Sequence, residues 1–338
     1  MMLEVLRGGL HTTVQDMGRQ GGQSLGIPPS GAQDGFALRI ANLLVGNPTG
    51  GPLILRDDPG AAGLEITMAG LEVRAGSDLL VAVTGADMGV RCDGTPAPRW
   101  QAFLLRAGQT LVFGMATSGA RAYLAVHGGV DVPLYLASRA THASGQFGGF
   151  EGRALKQGDK LPIGPADADW QAFAGRALRS ELVPSYSGLQ QVRVVRGPEA
   201  HHFTEESEAE FYANAWKLNP KSDRTGMRFI GPDLSFRPGR PRYLIEEAGE
   251  DPSNLVIDPG APVGTIQVPS GVELIVLGVD SPSVGGYARI GVVISTDMSA
   301  VGQLQPLQSA YFVRTSLEDA VAALRRQESL ISESSIAA

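Results

Sequence analysis

The chain is poor in the residues that most often carry covalent chemistry. It has one cysteine among 338 residues, so no intrachain disulfide can form, and Cys92, flanked by Arg91 and Asp93, reads as an inert strand residue. Lysine occurs only at Lys156, Lys160, Lys217 and Lys221. None has the Met-Lys-Met setting of a biotinylated lysine and none ends an apolar strand, which argues against covalent biotin and Schiff-base chemistry on this chain. No basic block occurs, and 28 Lys+Arg against 35 Asp+Glu leave a net charge of −7. Nucleic acid and anionic membrane surfaces are therefore not expected partners. The longest apolar runs, Leu79–Val83 and Leu274–Val279, are far short of a bilayer span and read as buried strands. Glu4 and Arg7 interrupt the first ten residues where a signal peptide needs an apolar stretch, so a cytoplasmic location is expected. Phosphate-loop, dinucleotide and nucleophile-elbow motifs are missing. His201-His202 reads as a solvated turn, and no metal site is expected.

What is abundant is turn chemistry. Forty-four glycines and twenty-two prolines favour many tight turns, hence β structure, and exclude helix bundles. Leu3–Leu6 reads as a strand, followed by a polar, Gly-rich loop over Gly8–Ser30. Asp34 then caps a helix carrying Phe36, Ile40, Leu43 and Leu44, which Gly46-Asn47-Pro48 ends. Strands are predicted at Leu71–Arg74, Asp78–Thr84, Phe103–Arg106, Thr110–Phe113 and Arg121–Val126, a spacing that suits a barrel or sandwich. Leu136–Gly164 reads as a long loop with a closing strand. The second half restarts at Val192–Val195, with a helix near Thr204–Ala215, strands at Glu273–Val279 and Ile290–Ser295, and a final helix capped by Ser316 with Asp319 as the capping-box acid. The expected division is a β-rich domain over 1–187, a second over 188–328, and a frayed tail over 329–338.

Several polar and glycine-rich blocks remain: Thr12 to Arg19, Pro29-Ser30-Gly31-Ala32-Gln33-Asp34, Ala41 to Pro48, Thr84-Gly85-Ala86, Arg121 to Gly129, Gly148 to Arg153, Ser222-Asp223-Arg224-Thr225-Gly226, Ile266-Gln267-Val268-Pro269 and Gly285-Gly286-Tyr287. In this order, over roughly residues 2–325, they resemble the allophanate hydrolase subunit 2 family, also called KipA or biotin-dependent carboxyltransferase-like, which includes the 5-oxoprolinase C-subunit. The resemblance implies a mainly β protein of cyclophilin-like β-barrel architecture, in two β-rich domains with a few helices. It implies a KipI-like (allophanate hydrolase subunit 1) partner, a third oxoprolinase subunit, a small amide substrate and ATP, bound here or by a partner. The leading expectation is a subunit of an ATP-dependent 5-oxoprolinase, active only in complex. The alternatives are the carboxyltransferase subunit of a biotin-dependent urea-type carboxylase and a non-catalytic antagonist that binds KipI. The chain departs from the family pattern at Thr225, where Met is usual, and between Asp280 and Gly285, which leaves the substrate open.

An amide substrate needs acceptors for its N–H, donors for its carbonyl oxygen, and a cation for any carboxylate. Asp280, directly after a strand, can accept a substrate N–H or position water; capping the turn before Pro282 is the structural alternative. Arg224, with Ser222 and Asp223, offers a fork for a carboxylate, or pairs with an acid of the chain. Gln267, Gly285, Gly286 and Tyr287 are the further binding candidates near that strand. Ser30, Asp34 and Asn42 surround a helix start that favours an anionic group, and Thr12, Gln15 and Asp16 can line the same cleft. His127, beside Gly128-Gly129, is the histidine candidate for proton transfer.

Overall fold

The computed structural model describes residues 1–51, 58–239, 249–254, 261–283 and 285–337. Its contacts divide the chain into two compact units, one comprising 1–21, 29–187 and 326–338, the other 22–28 and 188–325.

Two antiparallel sheets build the first unit. One orders its strands Lys160–Pro162, Met2–Gly8, Leu71–Ala75, Thr110–Val112, Arg91–Cys92 and Thr95–Pro96; the other runs His11–Gln15, Gly63–Thr67, Ser118–Val126, Leu79–Asp87 and Ala102–Leu105. Side chains alternate across a strand, and Leu79–Asp87 uses both faces. Its Leu79, Val81 and Val83 join Leu3, Val5, Val73 and Leu111 of the other sheet in one apolar cluster. Leu80 and Ala82 instead join Tyr123 and Ala125 under the helix Gly35–Leu44. That helix starts as its sequence dictates, with the Asp34 carboxylate accepting the Ala37 N–H at 3.0 Å.

The second unit is a closed seven-stranded barrel. Its order is Gln190–Arg196, Arg289–Val293, Thr265–Gln267, Leu274–Leu277, Gly226–Ile230, Ala215–Leu218 and Ser309–Arg314, closed by parallel pairing of the last strand with the first. Val192, Trp216, Phe229, Ile266, Val276 and Phe312 fill it. Thr204 caps the helix Glu205–Ala213, whose first turn carries three acids that suit the positive end of its dipole. Ser316 and Asp319 form the expected capping box before the helix Leu317–Leu330. The chain is thus mainly β with few helices, as its turn-rich composition indicates. No helix among the described residues is long and apolar enough to cross a membrane.

Two local expectations change. The Gly8–Ser30 loop contains a strand, His11–Gln15, registered against Gly63–Thr67. Its β-branched Thr12, Thr13 and Val14 favour a pleated surface despite the glycines around them. The tail also does not fray. Leu330, Ile331 and Ile336 pack on the helix-side core, and the Ala337 N–H donates to the Ala177 carbonyl at 2.7 Å. Apolar residues spaced among serines anchor it where composition alone suggested disorder. Deleting residues 331–338 is expected to lower the unfolding free energy in a urea titration by about 2 kcal/mol or more, the scale for losing packed isoleucines. An unchanged midpoint would mean that the tail is loose.

Candidate functional site

The candidate residues fall into the two units. In the first, strand residues and the loop before the helix meet over the polar end of the five-stranded sheet. Glu65 lies opposite Thr13 and Tyr123 in the sheet register and is 1% exposed. Its Oε2 accepts the Tyr123 hydroxyl at 2.7 Å and the Gln33 N–H at 2.8 Å, while Arg121 Nε lies 3.7 Å from Oε1. The Tyr123 oxygen in turn accepts the Asp34 N–H at 2.8 Å, and the Tyr186 hydroxyl donates to the Asp34 carboxylate at 3.0 Å. Burial, reinforced by the neighbouring carboxylates, raises the ionisation of both tyrosines well above the ordinary phenol range, so both are neutral hydrogen-bonding groups.

The surrounding loops are pinned to the same region. Gln15 donates to Thr13 and to the Thr141 carbonyl, and accepts the Gly31 N–H at 3.1 Å. The Asp16 carboxylate accepts Gly18 N–H, the Ser138 hydroxyl and Arg139 N–H at 2.6–2.8 Å. Burial nevertheless raises its pKa, outweighing those hydrogen bonds. Thr12 pairs in register with core-facing Ile66, and its hydroxyl is buried without a partner. Asn42 ties the Ala61 carbonyl to Asn47. The helix start therefore does not offer an anion site: the protein's own Asp34 carboxylate occupies it, and Asn42 serves the loop beyond the helix end.

His127 borders a cavity of about 370 Å³ with Asn47, Asp58, Asp131, Arg139 and Asp167. Its Nδ1 sits 2.7 Å from the Val45 carbonyl and its Nε2 accepts the Asp167 N–H at 3.3 Å. Both nitrogens are engaged with backbone, which makes His127 a structural joint rather than a free proton carrier.

In the second unit Arg224 and Asp280 meet. Arg224 Nε lies 2.7 Å and Nη2 3.3 Å from the two Asp280 oxygens, and both residues are 8% exposed. The acid paired with Arg224 is thus Asp280, which holds the guanidinium in place. Asp223 instead accepts the Thr225 and Gly226 N–H groups, and Ser222 bonds Asn219 and Arg228 backbone, so both shape the turn. Gln267 lies on the strand Thr265–Gln267, with its Nε2 buried and unpartnered, like Thr265 Oγ1 and Ser283 Oγ. Gly285 faces that amide: a Cβ there would stand 2.8 Å from Nε2. Tyr287, beyond Gly286, is 36% exposed and bridges Asn254. No cluster of potential metal ligands occurs among the described residues.

Glu65 and Tyr186 escape the sequence reading, and Gln33 and Tyr123 enter it only within the blocks Pro29 to Asp34 and Arg121 to Gly129, not as site residues. A single acid between Leu64 and Ile66 in an apolar strand was the available signal, because a charge buried there requires partners.

Comparison with known proteins gives one family, described as carboxyltransferase domain, subdomain A and B, whose model matches residues 25–314. The chain is 36% identical to the 5-oxoprolinase C-subunit of Escherichia coli K12 over 97% of its own length and 96% of that protein's. It is 35% identical to urea amidolyase of Saccharomyces cerevisiae over 94% of its length but only 17% of that much longer chain. The crystal structure of the K. lactis urea amidolyase superposes with a TM-score of 0.87 at 32% identity, covering 99% of this chain and 21% of that one.

Replacing Arg224 by Leu leaves Asp280 buried without this partner, and is expected to cost about 3–5 kcal/mol in urea unfolding. The double variant Arg224→Met, Asp280→Leu should recover most of the loss; a single variant near wild-type stability would show that the pair is not structural. For Asp16, whose pKa is raised above 3.8 in the folded chain, the sign follows directly. Its contribution to stability is full below the unfolded value and is lost as pH rises through the folded one. NMR titration of its carboxyl carbon should give a midpoint above 3.8, and a lower midpoint would contradict the dominance of burial.

Proposed function

The chain belongs to the carboxyltransferase domain, subdomain A and B, family, and from that premise we propose that it is a subunit of a hetero-oligomeric, ATP-dependent 5-oxoprolinase. The observation that carries the reading is the match to the E. coli 5-oxoprolinase C-subunit, at 36% identity over 97% of this chain. In the proposed reaction the lactam C–N bond breaks, the water oxygen joins the carbonyl carbon, and a proton goes to the ring nitrogen, giving glutamate. ATP supplies the activation of the lactam carbonyl in the assembled complex. A KipI-like subunit and a third subunit are the proposed partners, in the cytoplasm.

Residues of this chain then bind and orient. Arg224, held by Asp280, supplies a fixed guanidinium, and Gln267 Nε2 a hydrogen-bond donor beside Gly285, where the missing side chain permits close approach. Asp280 is in this scheme a positioning residue, and His127 takes no part in proton transfer. The identity to urea amidolyase and the superposition on the K. lactis enzyme favour a second reading, a carboxyltransferase for a urea-like substrate served by biotin on another domain. Non-catalytic binding of a KipI-like protein is a third.

Co-expression with the KipI-like and third subunits should yield a larger complex whose ATP hydrolysis depends on 5-oxoproline, while the chain alone turns nothing over. Undiminished activity without this chain refutes a catalytic role. Turnover of urea with biotin and bicarbonate, and none of 5-oxoproline, would establish the second reading instead.

A further inference from the structure

Five successive residues, Pro133 to Ala137, are exposed, and all five are apolar. Leu134, Tyr135 and Leu136 leave 58%, 42% and 47% of their surface open to solvent. Single exposed apolar residues are ordinary, whereas a contiguous run is unfavourable in water and marks a surface that meets something.

The run forms the tip of a tight hairpin. Tyr135 and Ser138 exchange N–H to carbonyl bonds at 2.8 and 3.3 Å, and the two residues between them, Leu136 and Ala137, stand at φ +50° and +60°. A two-residue turn of that hand normally takes Asn-Gly, because a Cβ is disfavoured there. Leucine and alanine therefore sit on strained backbone, which persists only where its surroundings enforce it. The base supplies that enforcement. Asp16 accepts the Ser138 hydroxyl at 2.8 Å and the Arg139 N–H at 2.6 Å, while Arg139 Nε donates to the Val132 carbonyl at 2.9 Å and Nη2 meets Asp131 at 3.0 Å. The Tyr135 ring stacks on Phe147 with centres 4.8 Å apart, and the Arg19 guanidinium lies 5.1 Å from the centre of the Phe147 ring. An apolar tip fixed before contact loses little conformational entropy on binding.

We propose that Leu134, Tyr135 and Leu136 form a docking knob that inserts into an apolar hollow of a partner subunit. An acceptor in that hollow meets the Tyr135 hydroxyl, which has no partner among the described residues. Charge selects this occupant. The tip carries none, and the two charges at its base, Asp131 and Arg139, pair with each other. An anionic membrane finds no free cation beside the knob. A second copy of this chain offers the cavity beside His127, which is bordered by Asp58, Asp131 and Asp167 and does not suit leucine. The E. coli relative is named as one subunit of its enzyme, and the inference rests on the proposed function only in taking this chain as a subunit too.

The test is the affinity of the full chain for the KipI-like and third subunits, measured by calorimetry. Tyr135→Ser and Leu136→Gly should each weaken assembly with one of them by about tenfold or more. Leu136→Gly should not lower Tm, because glycine adopts φ +50° without strain. Weaker assembly by a chain of undiminished stability then reports the lost contact and not misfolding. Ala137→Gly also relieves strain but keeps the large side chains, and should assemble as wild type does. Unchanged assembly of Tyr135→Ser and Leu136→Gly overturns the inference and leaves the proposed function standing. Weakened assembly in a complex that does not turn over 5-oxoproline defeats the proposed function and leaves the knob. A wild-type chain that binds neither subunit overturns both. Binding to phosphatidylcholine and phosphatidylserine vesicles that Leu136→Gly abolishes, or a dimer of the chain alone that Leu136→Gly dissociates, overturns the choice of a partner subunit.

Discussion

The Glu65 carboxylate, almost wholly buried on a strand whose neighbours Leu64 and Ile66 belong to the apolar core, imposes the order of the first unit around it. A buried charge must be met by donors or an opposite charge, and the sheet supplies the Tyr123 hydroxyl as donor and the Arg121 guanidinium as an ion-pair partner at 3.7 Å. A further donor comes from the Gln33 backbone, which draws the loop before the helix onto the sheet. Once that loop is fixed, Asp34 stands at the helix start and Tyr186 reaches its carboxylate. A single acid thereby links strand, loop, helix and the last turn before residue 188.

The barrel unit answers the same constraint with a different pair. Arg224 and Asp280 sit just outside two paired strands, and the Asp280 N–H donates to the Arg224 carbonyl at 3.1 Å, so the backbone aligns the two side chains. The positioned guanidinium is useful for recognition because its geometry is set before any ligand arrives. Glycine serves this unit where contact is tightest, as at Gly285 against Gln267.

Much of this was readable from the residues. Asp34, Thr204 and Ser316 are short polar side chains ahead of helical periodicity, and each caps the helix expected. Runs such as Leu79–Val83 read as buried strands because both faces are apolar, and both faces are indeed covered. The strand His11–Gln15 was hidden because its glycine-rich flanks mimic a loop, and the tail because its anchoring isoleucines are scattered among serines. For the site, Arg224 and Asp280 were recognisable as chemistry-bearing residues, but their mutual pairing spans 56 residues and no local pattern encodes it. Gln33 entered only as part of the Pro29-to-Asp34 block, with no role of its own. Only three-dimensional burial reveals that its amide is left without partners.

Each unit thus carries its own fixed polar element, a hydrogen-bonded loop in the first and a clamped cation in the second. The loop depends on the Glu65 clamp, and amide hydrogen exchange measures that clamp residue by residue. In Glu65→Gln, exchange at Gly31 to Asp34 should accelerate by about tenfold or more, while the barrel strand Gly226–Ile230 keeps its wild-type protection. Unchanged protection of the loop, or a uniform loss across both units, would contradict the claim that this carboxylate holds the loop in place.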